Sequence, residues 1–136
     1  MKEYVLDANA LVRFFRNQDG ATKIRELLIQ ADKKLVSLRI SAVNLAEVFY
    51  IQARYSTLAE ARNAIQRIKS LVEFASPDDL QVLAVAEIRC RYKFGLADCF
   101  AAQLAMSTGA TLVTADPEFA KLGKQLKILA LPRHPG

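Results

Sequence analysis

One histidine and two cysteines are all the imidazole and thiol groups that this 136-residue chain offers to a metal ion. His134 lies in a polar stretch near the C-terminus, where a solvated ring is the ordinary outcome. Cys90 and Cys99 show neither C-x-x-C spacing nor a secreted disulfide framework. They read as reduced helix-packing residues, because a free thiol behaves as a small buried hydrophobe. Zinc is thereby disfavoured. Long apolar runs are lacking too: none approaches the roughly 20 residues that cross a bilayer. Glu3 and Asp7 interrupt the apolar stretch that a signal peptide needs, so the expected location is the cytoplasm. Internal repeats, linkers and low-complexity stretches are also missing. The expectation is one domain over residues 1–131, with a polar C-terminal tail over 132–136.

What is present is an ordinary soluble composition, 52% apolar and 24% charged, rather than a disordered one. Nineteen Lys and Arg stand against fourteen Asp and Glu, a formal charge of +5. That excess is compatible with a polyanionic partner, but many small proteins share it. It gains meaning only if the acids gather in one place and the bases surround them.

The pattern along the chain alternates strands and helices. Glu3–Leu6 is a short apolar run containing the β-formers Tyr4 and Val5, and Ala8–Phe15 follows as helical turns. Ala21, Ile24, Leu27, Leu28 and Ala31 recur at helical spacing after Asp19-Gly20. A second strand is expected over Lys34–Ile40, with Ser41 as N-cap of the next helix. Leu58, Ala61, Ile65 and Ile68 mark a further helix, and Val72–Phe74 a very short strand. Ser76-Pro77-Asp78 starts a helix whose stripe is Leu80, Leu83, Ala84 and Ile88. Asp98–Met106 is a small-residue helix that stops at Gly109. Thr111–Thr114 is a fourth strand, Pro117 opens a short helix, and Lys127–Leu131 is the last strand. This order predicts an α/β domain with a mainly parallel sheet covered on both faces.

Ligands of such sheets bind outside the carboxyl ends of the strands. Asp7 follows the first strand directly, Asp116 comes just after the fourth, and Glu47 lies early in the helix after the second. Asp98 reaches the same rim from a helix start. Asp7, Asp98 and Asp116 each have a plainer reading as helix caps. Glu47, flanked by Ala46 and Val48, is harder to explain as a solvated acid. Two unit charges about 4 Å apart repel by roughly 4 kcal/mol at an effective dielectric near 20, so a carboxylate cluster calls for protons or cations. Carboxylate oxygens suit Mg²⁺ or Mn²⁺, which keep waters and engage phosphates. Such an ion activates water and polarises a scissile phosphate. Asn9 and Thr114 are placed to orient the carboxylates, or else to form local turn bonds. Arg13, Arg16 and Arg39 near the rim are candidates for holding the phosphates of a polyanionic partner, or else part of a solvated surface.

Taken together, Val5-Leu6-Asp7-Ala8-Asn9, Ser41-x-x-Asn44-x-x-Glu47-Val48, Leu96-Ala97-Asp98-Cys99-x-Ala101-Ala102 and Leu112-Val113-Thr114-Ala115-Asp116-x-x-Phe119 resemble the PIN-domain family. The similarity is to its short VapC-type toxins and runs from residue 3 to about 131. Each motif alone is weak, and the four in this order are specific. The resemblance implies a three-layer α/β/α sandwich with a five-stranded, mainly parallel sheet. It also implies a Mg²⁺- or Mn²⁺-dependent endoribonuclease, the toxin of a toxin–antitoxin pair. Carried over position by position, Asp7, Asp98 and Asp116 are metal ligands, with Glu47 in or beside that set and Asn9 and Thr114 in support. The implied partners are an RNA substrate, a small antitoxin and a second copy of the chain. Cys99 and Glu118 depart from the pattern, and Glu118 also reads as a first-turn acid favoured by the helix dipole. The alternative is a PIN-like module that binds RNA or a partner without turnover. A dehalogenase-like phosphatase is disfavoured, because that chemistry wants an Asp where Asn9 stands.

Overall fold

A computed structural model of the chain describes residues 1–132. His134 and most of the polar tail lie outside the described residues. Strand β1 spans Lys2–Leu6 and is followed by α1 (Ala8–Phe15) and α2 (Ala21–Asp32). Strand β2 (Val36–Ser41) leads to α3 (Ala42–Tyr55) and α4 (Leu58–Ile68). Strand β3 (Glu73–Ala75) leads to α5 (Asp79–Arg91) and α6 (Leu96–Thr108). Strand β4 (Thr111–Thr114), a 3-10 segment Pro117–Gln125 and β5 (Lys127–Ala130) close the order.

The strands form one sheet in the order β3-β2-β1-β4-β5, and every pairing is parallel. The chain steps from β1 outward to β3, then returns past β2 and β1 to lay down β4. Because parallel crossovers share one hand, this reversal moves the helices to the opposite face of the sheet. Alternation along the strands serves both faces. Tyr4, Leu6, Leu38, Ile40 and Val113 join a core with Leu11, Ile24, Leu27, Val48 and Ile68. Val5 and Leu112 turn the other way and pack with Val85, Phe94, Ala101, Ala105 and Phe119. The result is the three-layer sandwich that the alternation of elements predicts.

Local chemistry sets most boundaries. Asp7, Ser41, Thr57 and Asp78 cap α1, α3, α4 and α5 through their side chains, and Asp78 completes a capping box with Gln81. Lys34 takes a left-handed φ of 60°, so β2 starts at Val36 and not at Lys34 as expected. Helix α6 begins at Leu96 behind Gly95, which makes Asp98 a first-turn residue. The expected stripe of α5 is the main misreading: Val85 and Ile88 are buried, whereas Leu80 and Leu83 are 78% and 63% exposed.

Gly20 begins α2 with φ 93°, and a Cβ there would meet Leu131 Cβ at 3.2 Å. The left-handed conformation costs an L-residue about 1–2 kcal/mol. Gly20→Ala is therefore expected to lower unfolding free energy by at least about 1 kcal/mol, read as a lower urea midpoint with an unchanged slope. An unchanged midpoint would contradict this account of the turn.

Candidate functional site

The reversal of strand order falls between β1 and β4, and ligands of open parallel sheets bind at such points. Asp7 leaves β1 there, and its backbone N–H donates to Val113 O across the junction at 3.3 Å. Beside it lies a pocket of about 400 Å³ lined by Asp7, Asn9, Arg13, Glu47, Ile51, Asp98, Ala115 and Asp116. All four sequence-predicted acids therefore face one space. Each arrives from a different element: the end of β1, the second turn of α3, the first turn of α6 and the turn after β4.

Asp7 is 3% exposed. Its Oδ1 accepts from Ala10 N at 2.8 Å and its Oδ2 from the Thr114 hydroxyl at 2.5 Å. The Thr114 oxygen in turn accepts from Asp116 N at 3.0 Å. One hydroxyl thus ties two of the acids together. Asp116 Oδ1 accepts from Glu118 N at 2.9 Å as the cap of the 3-10 segment. The capping readings of Asp7 and Asp116 both hold, and both carboxylates still line the pocket. Burial, the largest influence, pushes the Asp7 carboxyl up to about 6, against the two hydrogen bonds and with the charges of Asp98 and Asp116. Burial also raises Asp98, reinforced by the charges of Asp116, Glu47 and Glu118. The acids share one field.

The neutral and basic candidates divide. Thr114 bridges two acids. Asn9 does not: its Oδ1 accepts from Arg13 Nε at 2.8 Å, so its amide nitrogen is the group left to donate. Arg13 lines the pocket but is partly committed, donating also to Asp19 O at 3.0 Å and Pro132 O at 2.8 Å. Arg16 and Arg39, the other two candidates for holding phosphates, do not line this pocket. The Arg16 guanidinium lies 3.5 Å from the centre of the Tyr55 ring. Arg39 donates to Glu3 at 2.7 Å and Glu73 at 3.3 Å, neighbours on the same sheet face. Glu118 is exposed, 3.7 Å from Lys121.

Asn44 was not among the sequence candidates. It is 1% exposed and donates to Glu47 Oε1 at 3.3 Å and to Ala97 O at 3.0 Å. A polar residue between Val43 and Leu45 one helical turn before Glu47 is the signal that could have found it.

The donor set fits a hard divalent cation: carboxylate oxygens facing a small pocket, with Arg13 the one cationic side chain along its lining among the described residues. Among the described residues no three acids, histidines or cysteines stand close enough together to hold an ion as they are.

The raised Asp7 carboxyl has a definite sign in stability. Below about pH 4 the folded and unfolded carboxyls are both protonated, and Asp7 contributes nothing. Between there and about 6 the folded chain keeps a proton that the unfolded chain releases, so rising pH favours unfolding. Above 6 the cost is complete, on the order of 3 kcal/mol. In metal-free buffer, Asp7→Asn is expected to be the more stable protein at pH 7 and to lose that advantage by pH 4. Parallel pH–stability curves for the two proteins would refute this.

Comparison with known proteins agrees with the geometry. The structure is similar to that of VapBC2 from Rickettsia felis bound to a DNA fragment from its promoter, with TM-score 0.75 and 21% identity over 96% of this chain and 99% of that one. It is similar to DNA-bound VapBC from Salmonella typhimurium, with TM-score 0.74 and 18% identity over 96% and 98% of the two chains. It is also similar to VapC20 of Mycobacterium tuberculosis, described as a sarcin–ricin loop cleaving toxin, with TM-score 0.72 and 14% identity over 95% and 99%. At these identities the likeness establishes a shared fold. No curated protein is similar enough in sequence to count as a relative. The family model of the PIN domain matches residues 4–125, and the chain belongs to the PIN domain family.

Proposed function

We propose that the chain is a Mg²⁺- or Mn²⁺-dependent endoribonuclease that hydrolyses RNA phosphodiester bonds, and that it is the toxin of a toxin–antitoxin pair. The observation that carries this reading is the meeting of Asp7, Glu47, Asp98 and Asp116 in one pocket at the sheet's switch point. Family membership and the likeness to VapBC structures support it.

In this reading the four carboxylates hold the ion, which supplies positive charge to polarise a phosphate and activate water. Thr114 fixes Asp7 and keeps the turn carrying Asp116 against it. The Asn9 amide nitrogen and the uncommitted N–H groups of Arg13 are the donors available to substrate oxygens. The basic excess of the chain favours the approach of a polyanion.

Two grooves between the first four helices suit an antitoxin segment. One, of about 940 Å³, is lined by Phe15, Arg16, Tyr55 and Arg67 among others. The second, of about 630 Å³, includes Phe14, Leu28, Ile29 and Leu71. Aromatic, aliphatic and guanidinium groups together favour an amphipathic segment with acidic residues. Among the described residues no helix is long and apolar enough to cross a membrane. Leu80 and Leu83, one helical turn apart and exposed on α5, would supply the surface for self-association.

The purified chain is expected to cut single-stranded RNA with Mg²⁺ or Mn²⁺ and to stop in EDTA. Asp98→Asn is expected to lower the cleavage rate on the order of 100-fold while leaving the fold intact by circular dichroism. RNA bound tightly in EDTA, and never cut with either ion, would assign the chain to non-catalytic binding instead. In sedimentation, the wild type is expected as a dimer and Leu80→Glu/Leu83→Glu as a monomer. A dimer that survives both charges would move the contact elsewhere.

A further inference from the structure

Asn44 sits one turn before Glu47 on α3, 99% buried, with its amide nitrogen shared between two acceptors. One is Glu47 Oε1 at 3.3 Å and the other Ala97 O at 3.0 Å. Ala97 directly precedes Asp98 in the first turn of α6. A primary amide has two N–H groups, and here one goes to each side of the junction between the helices that carry two of the acids. Among the described residues Glu47 accepts no other hydrogen bond.

The other half of this amide is wasted. Asn44 Oδ1 is buried with no partner among the described residues, and an orphaned acceptor costs stability. Leucine, close to asparagine in shape, would remove that cost at a position that already neighbours Val43, Leu45 and Val48. Packing therefore does not account for the amide, whereas its two donors do. An unrestrained glutamate side chain must lose rotamer freedom when it binds a cation. A glutamate already held by a buried amide has lost part of that freedom in folding.

We infer that Asn44 is a positioning residue that fixes the Glu47 carboxylate relative to Asp98 and so sets the affinity of the pocket for its divalent cation. The inference rests on the metal-dependent reading above and adds a residue to it.

The test measures Mn²⁺ binding to the metal-free protein by calorimetry, alongside thermal melting in EDTA. Asn44→Leu is expected to melt at or above the wild-type temperature and to bind Mn²⁺ roughly ten- to hundredfold more weakly. Asn44→Ala serves as a second variant in case leucine overpacks, with the same loss of affinity expected. In a Glu47→Gln background, Asn44→Leu is expected to cause little further loss, because its partner carboxylate is already gone. Wild-type protein that binds Mn²⁺ no better than Asn44→Leu overturns the positioning role and leaves the metal-dependent reading standing. Wild-type protein that binds no Mn²⁺ overturns both. Unfolding of both Asn44 variants in EDTA assigns the residue to the fold alone and overturns the inference.

Discussion

The Asp7 carboxylate has no cationic partner among the described residues, and both of its oxygens are occupied by neutral donors from Ala10 and Thr114. Burial and two neighbouring acids act against its ionisation. Such a group is tolerated because the surrounding backbone is arranged for it. Helices α1 and α6 and the 3-10 segment all begin beside the pocket, and helix N-termini favour negative charge. Their dipoles offset part of the repulsion without supplying a full counter-charge. The two apolar cores on either side of the sheet hold the strand ends in register while that tension persists.

This arrangement explains why capping and site formation were inseparable. A helix that follows a parallel strand starts at the carboxyl edge of the sheet, and an Asp at that start both caps the helix and faces the crevice. Treating the cap as a rival to the site at Asp7 and Asp116 set two consequences of one position against each other. The element order was legible because turn residues and caps are local signals. The buried face of α5 was not. That helix carries two apolar stripes, one through Val85 and Ile88 and one through Leu80 and Leu83. Hydrophobicity alone does not say which of two such stripes meets the sheet.

The basic residues show a second limit of reading along the chain. Arg13, Arg16 and Arg39 all lie near strand ends or first helices, yet each guanidinium group also meets a partner distant in sequence. Arg39 is held by Glu3 and Glu73, which flank it only once β1, β2 and β3 are paired. Arg13 reaches the carbonyl of Pro132 at the far end of the chain. Where a carboxylate at a strand end is placed by its own backbone, a long cationic side chain goes to whichever acceptors the fold brings near. The positions of the acids were thus more readable than those of the bases.

Four carboxylates face one pocket without closing into a cage, and electrostatics favours that spacing. Coulomb repulsion falls with separation, so acids spread around about 400 Å³ cost less in the free protein than acids drawn to contact distance. That spacing has a consequence for the proposed metal site: the more loosely the acids stand, the more rotamer freedom a cation would have to suppress in gathering them. Asp7 is restrained by Ala10 and Thr114, and Asp116 by its cap and by the Thr114 hydroxyl at its backbone. Glu47, with the longer side chain, has more freedom to lose, and the restraint on it comes from the buried amide of Asn44. In the proposed metal-dependent reading, the polar groups beneath the pocket, rather than the acids alone, would determine how much of that ordering is complete before an ion arrives.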